Sequence, residues 1–515
     1  MNCLTLPLLL HFFYYSFMIK HLINEAFHVL FTRKIKCAIL ILVGVLSSHL
    51  QAFSQEKAFS TYSDLSRFSF AKQKDSIKKA WTVSTIFKDK KTQNEYAEIW
   101  KSRSDFLFDG IEENDFVYNK DIVDYVNGII TDLIVANKTL IQVQPLLLID
   151  RNESVNAYSI GGNVLAINLG LIAYVNTREE MALIIAHELS HNILNHTETA
   201  MRQKAELLTS EEYNNSLKNV LNSKYGRLSK LMEVLQTYSF SRSRHTRYKE
   251  GEADSLAIVL LNNAKIPFNA NYFLRLDSTD NEYRTPLLRP AKTYFASFNL
   301  NLDDQWFVKK SKGLSSRNYN FSKGEDLSDS LKTHPECVER YNATKRLSTP
   351  AAVYTPVPES IHKLADKMIV WNLYNNMNLT PALYRIMLIK DKGNNDPWYD
   401  VMVYNIFAGL YLADKNLARF NSIGVAPKEL ISKDYFATQT MLEQIPASQL
   451  ESDVKIMSAL PFWSAASADS RGFKDFLTSL ISEEKVSKKQ QALYSKEFLA
   501  DYPVSIYAEI AYKFK

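Results

Sequence analysis

The stretch 186-AHELSHNILNH-196 sets three histidines and a glutamate, His187, Glu188, His191 and His196, into a run that otherwise wants to be buried. Burying such groups unpaired is costly, so a helix that carries them needs something to pair them with. Upstream, in 176-NTREEMALIIAHELSHNILNH-196, Thr177 is followed three residues later by Glu180, a capping box that starts a helix with Ala182, Ile185 and Leu189 on its apolar face. On that helix His187 and His191, four residues apart, lie on one face about 6 Å apart. Two imidazoles at that spacing can close on one metal ion. Zinc suits them, because it takes neutral imidazole nitrogen and carboxylate oxygen in a tetrahedral shell and needs one more protein ligand, leaving the fourth position for water. Glu188, beside the first histidine, can reach that water, take its proton as it attacks a carbonyl, and return it to the leaving amine. A His-Glu-x-x-His match arises by chance in a chain of this length on the order of 1 time in 100. The bland alternative, a surface helix that happens to hold two histidines, does not predict a second acidic helix downstream.

That helix is present in 248-YKEGEADSLA-257, where Glu250 and Asp254 are again four apart. A helix there presents one carboxylate to the metal and the other a turn later, placed to accept a hydrogen bond from a ligand histidine and so fix its tautomer. Glu252 points to another face and is the weaker ligand candidate. Ala253, Leu256, Ala257 and Leu260 give this helix a packed side, which argues against a simply solvated Glu250.

Around these two helices the pattern is mixed. Residues 119–137 space Ile122, Val126, Ile129 and Leu133 as an amphipathic helix. The runs 143-VQPLLLID-150 and 163-NVLAINLG-170 read as neighbouring strands, separated by a turn in 151-RNESVNAYSIGG-162. The strand 163-NVLAIN-168 is expected at a sheet edge, where it can pair with an extended substrate; an interior strand is the alternative. A charged helical stretch covers 198–240, residues 275–330 read as a loop or lid, and 333-THPECVERYNATKRL-347 as a short helix. The stretch 348-STPAAVYTPVPES-360, with three prolines, reads as a linker. Every recognisable segment beyond it is helical, as a helical-hairpin array or an irregular bundle.

In order, "NAYSIGGNVLAINLGLIAYVNTREEMALIIAHELSHNILNH", "RYKEGEADSLAI" and "THPECVER" resemble the gluzincin zinc metallopeptidases typified by the CAAX prenyl protease and the HtpX heat-shock protease. The closer resemblance is to their soluble periplasmic BepA-like relatives, which join the peptidase to tetratricopeptide repeats. It covers roughly residues 105–345. It implies zinc ligation by His187, His191 and Glu250, with one Zn2+ per chain, Glu188 as general base, and Asp254 as the aspartate that supports the ligands. It also implies a position for His334 at the metal's open site, where it would hold the enzyme latent, or near the oxyanion; a packed histidine that caps the short helix is the alternative. Arg247 supports the site by the same resemblance or is a salt-bridged structural arginine. His196 and His245 read as ordinary surface histidines, because a fourth histidine ligand would stop catalysis.

The expected fold is α+β: a zincin-type peptidase domain at 55–347, mainly helical with a small β-sheet, then the linker at 348–360 and an α-helical, tetratricopeptide-like domain at 361–515. The function it implies is a metalloendopeptidase acting on misfolded or unassembled envelope proteins, with a partner bound through the C-terminal helices. A latent peptidase that serves mainly as an assembly chaperone is the alternative.

Composition narrows the classes. The 515 residues, 46% of them hydrophobic, allow a sizeable core, and three cysteines cannot make a disulfide framework. The net charge is +5, of which three belong to the first 54 residues, so the remainder carries no nucleic-acid footprint. Residues 1–54 read as an N-terminal extension and signal peptide: basic Arg33, Lys34 and Lys36, an apolar run from Cys37 to Leu46, and small Ala52 and Ser54 before a cleavage site near Gln55. That run is about half of the roughly 20 residues a membrane span needs. Export to the periplasm or cell envelope is expected, with an uncleaved anchor as the alternative and Met18 as a second start. No stable span is expected after cleavage.

Overall fold

A computed structural model describes residues 75, 77, 81–113, 115–277, 283–308, 337–349, 351, 353–426, 428–482 and 486–515, without the side chains of 235–246, 277 and 429. The expected signal peptide, His334 and the side chain of His245 lie outside these. The N-terminal region is α+β with a small mixed sheet, and the C-terminal region is largely helical.

The chain enters through α1 (Lys90–Glu113), β1 (Phe116–Val117), α2 (Lys120–Ala136), β2 (Leu146–Asp150), β3 (Ala157–Gly161) and β4 (Val164–Asn168). The Asn119 side chain caps α2 by accepting from the N–H groups of Asp121 and Ile122, and Ile122, Val126, Ile129 and Leu133 are buried as their spacing requires. The sheet order is β1-β2-β4-β3, with β2 and β4 parallel and the two outer pairs antiparallel. Side chains alternate across it: Ile149, Leu165 and Ile167 join the main core, while Leu148, Val164 and Ala166 meet Leu107 of α1 on the other face.

Two expectations are corrected here. The stretch 151–162 is not all turn, because its second half is β3. The strand 163-NVLAIN-168 is interior, lying between β2 and β3, and the edges belong to β1 and β3. Asn, Ser and Gly around 157-AYSIG-161 make it look like a loop, but pairing with β4 supplies the ladder that holds it extended. The chain also turns helical at once after Asn168, and a Cβ on Gly170 would sit 1.9 Å from the Glu153 carbonyl oxygen, so only glycine lets these backbones approach so closely.

Next come α3 (Leu169–Tyr174), α4 (Arg178–Ile193), α5 (His196–Thr209), α6 (Glu211–Leu221), the 37-residue α7 (Arg227–Asn263), α8 (Asn271–Asp277) and α9 (Cys337–Thr344). The Thr177 hydroxyl accepts from the Glu180 N–H, which starts α4 where the capping box predicts. Helix α7 packs along α4, and Asn137 ties α2 to α7 by donating to the carbonyls of Leu133 and Leu260.

The C-terminal helices are α10 (Glu359–Asn375), α11 (Leu379–Asp391), α12 (Trp398–Lys415), α13 (Arg419–Ser422), α14 (Lys433–Gln444), α15 (Ala447–Ser458), α16 (Ala468–Ile481), α17 (Lys488–Asp501) and α18 (Ala508–Ala511). They gather round α12, which is buried on nearly every side because its sequence is apolar all round. The described part of the expected lid, 283–308, packs against these helices instead: the N–H groups of Leu287 and Leu288 donate to Asp434 and Asp391, and Phe295 and Phe298 meet Phe407 and Phe462 edge-on. Its aromatic residues find an apolar partner only in the folded chain, and for that reason no periodicity marks them. The stretch 348–357 is likewise pinned, through Thr349 N–H to the Phe268 carbonyl, Arg178 N–H to the Thr355 carbonyl, and Val357 N–H to the Asn176 carbonyl. At the end of β2, Arg151 makes two bonds to Glu509 of α18 inside the shared core. Among the described residues no helix is long and apolar enough to cross a membrane.

Candidate metal centre

Helix α4 supplies His187 and His191, and α7, packed along it, supplies Glu250. The His187 and His191 Nε2 atoms are 3.0 Å apart, and the Glu250 carboxylate lies 3.3 Å from the first and 3.5 Å from the second. These ligand atoms all lie within 4.8 Å of one another. Bonds of about 2.0–2.1 Å in a tetrahedral shell separate neighbouring ligand atoms by roughly 3.3 Å, close to the distance between the two imidazole nitrogens and to that from each of them to one Glu250 oxygen, Oε2 for His187 and Oε1 for His191.

Both histidines are oriented from behind. His187 Nδ1 lies 2.8 Å from Asp254 Oδ1, and Arg340 Nε donates to Asp254 Oδ2 at 2.8 Å while its Nη2 reaches Oδ1. The Arg340 guanidinium also lies over the Phe273 ring. His191 Nδ1 meets His196 Nδ1 at 2.9 Å.

Charge supports the same reading. Glu188, Glu250 and Asp254 are at most 3% exposed, and Arg340 is the buried cation among them. Three buried carboxylates against one guanidinium leave two negative charges, which a divalent cation would neutralise. Without it, protons are drawn in: burial opposes a charged His187, but its hydrogen bond and attraction to Asp254, with Glu250, outweigh burial and push its pKa up to about 9. Burial pushes Asp254 up, yet Arg340 and His187 hold it down at about 2. Zinc requires His187 Nε2 without a proton. Apparent zinc affinity is therefore expected to fall by about tenfold per pH unit below 9, checked by competition with a chromophoric chelator from pH 6 to 9 and by the proton released on binding.

Of the residues expected from sequence, His187, His191 and Glu250 are brought together with Asp254 behind His187, and Glu188 is buried next to His187 on α4. Arg247 sits one turn before Glu250 on α7, its Nε buried without a hydrogen-bond partner among the described residues. His196 is not a surface histidine: it is 8% exposed and sits under His191, while Glu252 lies beside it at 3.6 Å. Arg340 was not singled out, although it stands in the quoted 333-THPECVER-340. The signal that finds it is the surplus of carboxylates predicted for the core.

A search of the curated proteins finds no match to the chain. Residues 124–348 match the family described as Peptidase family M48. This span runs from within α2 to just past α9 and contains every ligand and each supporting residue described above. Family match and His-His-Glu triad thus coincide in one stretch, and residues 124–348 are similar to the peptidases of family M48 and carry a zinc-binding active-site arrangement of the gluzincin type.

Proposed function

We propose that the protein is an exported metalloendopeptidase that cleaves misfolded or unassembled polypeptides of the cell envelope, with a peptidase domain at 55–347 and a helical domain at 361–515 that holds substrates near the site. The observation that carries the reading is the triad itself, three ligand atoms from two packed helices within 4.8 Å of one another. Zinc bound there supplies a Lewis acid that acidifies water and polarises a carbonyl. His187, His191 and Glu250 hold it, Asp254 with Arg340 aims His187, and Glu188 takes a proton from the attacking water and returns it to the leaving amine.

An unfolded substrate suits the edge strand. Helix α4 packs on β3, and Ser159 Oγ donates to Asn192 near the end of α4. Asn168 N–H donates to the Asn156 carbonyl, and the alternation of an antiparallel ladder then turns the backbone groups of Ala157 and Ser159 away from β4. An extended chain can add there through backbone bonds that make little demand on its sequence.

Purified protein lacking the leader should degrade casein, stop when zinc is chelated, and recover when zinc is returned. Equal hydrolysis after exhaustive chelation would overturn the reading. Export rests on the basic, apolar and small residues of 33–54, and N-terminal sequencing of the secreted form should begin near Gln55.

A further inference from the structure

His196 ends the stretch that began the sequence reading, and it is not one of the three ligands. On an unbroken helix a residue five positions beyond His191 lies about 140° round the axis and could not meet it. The helix is broken, however. Helix α4 ends at Ile193, and Asn195 adopts a left-handed backbone at φ 52°, which starts α5 in a new direction at His196. Asparagine is among the few residues that take this conformation readily. The turn brings the His196 ring beneath His191, with ring centroids 5.0 Å apart and the two Nδ1 atoms 2.9 Å apart.

We infer that His196 is a positioning residue for the metal: it accepts the Nδ1 proton of His191, and so holds that imidazole with Nε2 bare and aimed at the cation. The inference rests on the triad's being a zinc site. When Nε2 of a neutral imidazole gives its lone pair to a metal, its proton stands on Nδ1 and needs an acceptor in a buried site. Among the described residues, His196 Nδ1 is at hydrogen-bond distance from that nitrogen. To accept there, His196 keeps its own proton on Nε2, which faces Glu252 Oε2 at 3.6 Å. His191 thus donates to His196, and the Glu252 carboxylate favours the proton on His196 Nε2 by its charge from 3.6 Å. Glu252, set about 200° round α7 from Glu250, thus serves the second histidine by pointing away from the first.

The two ligand histidines are supported differently, and charge explains the difference. Asp254 behind His187 is an anion offset by Arg340. A second buried carboxylate behind His191 would leave a dication outweighed. A neutral imidazole accepts the same proton without adding charge, and the negative group is set back to Glu252, whose side chain is 41% exposed.

Three variants separate a hydrogen-bond role from mere packing. His196→Ala removes ring and acceptor, His196→Phe keeps a ring without an acceptor, and His196→Asn returns an acceptor oxygen near the Nδ1 position. Zinc affinity is read by chelator competition, and ligand geometry by the visible spectrum of the cobalt-substituted protein. Loss of an outer support of this kind typically costs about 10–100-fold in affinity. That loss is expected for His196→Ala and His196→Phe, with a shifted cobalt spectrum, whereas His196→Asn should stay within a few-fold of wild type and keep its spectrum. Zinc binding as tight in His196→Phe as in wild type would overturn the inference, as would an Asn variant as weak as the Ala variant. A wild-type protein that takes up no zinc would instead sink the triad reading, so the two failures are distinguishable.

Discussion

Glu188→Gln is expected to lower the turnover of an unfolded protein substrate by about 10²–10⁴-fold, the range that a positioned general base contributes, while the chain still binds one zinc. The two effects separate because Glu188 lies outside the ligand triad. It follows His187 directly on α4, about 100° round the helix, and is 3% exposed, a buried carboxylate beside a ligand that is not one of the three ligands. The amide keeps size and shape but cannot take a proton. It also removes one of three buried negative charges, so zinc is measured at saturating metal. Casein hydrolysis and metal analysis on the same sample decide the matter. Turnover near wild type would remove Glu188 from the chemistry, and loss of zinc would make it a ligand.

Glu509→Ala is expected to destabilise the protein by about 3–5 kcal/mol, the usual cost of stranding one partner of a buried ion pair. Glu509 is fully buried and accepts from Arg151 Nη2 at 2.7 Å and Nη1 at 3.1 Å, from Trp371 Nε1 at 2.8 Å and from Asn375 Nδ2 at 3.1 Å. Asn372 of α10 also donates to the Arg151 carbonyl at 3.1 Å. Without the carboxylate, the guanidinium at the end of β2 stays in the core and loses both bonds to Glu509. Chemical denaturation of the variant measures the loss. Arg151→Met combined with Glu509→Leu should recover a large part of it, because the guanidinium is removed together with its partner. A loss below about 1 kcal/mol in Glu509→Ala would instead be what a solvent-screened pair shows. This pair also bears on truncation: deleting the C-terminal helices would expose Arg151 and the α3 face covered by α10, so such a protein tests folding before it tests the peptidase.

How much of this was legible depended on the distance over which each feature is decided. His187 with His191, and Glu250 with Asp254, are pairs spaced four apart on single helices. Helical geometry alone puts each pair on one face, and capping at Thr177 marks where the first helix starts. The strand β3 was hidden, since 157-AYSIG-161 becomes extended only when β4 is there to pair with it. The surface position expected for His196 fails because helical periodicity assumes an unbroken helix, and the left-handed turn at Asn195 breaks it. Arg340 comes from α9, 86 residues beyond Asp254, with nothing local to its position that states the pairing.

By itself, then, the amino-acid sequence determined the helices, the ligand types and the spacing within each ligand pair, since those follow from backbone periodicity over a few residues. Only the tertiary structure decided which strand forms the sheet edge, which side chains stand behind the ligand histidines, and that the segment 283–308 lies against the C-terminal helices. Those outcomes depend on which buried charges and apolar faces find partners far along the chain, and that choice is made by the whole core at once.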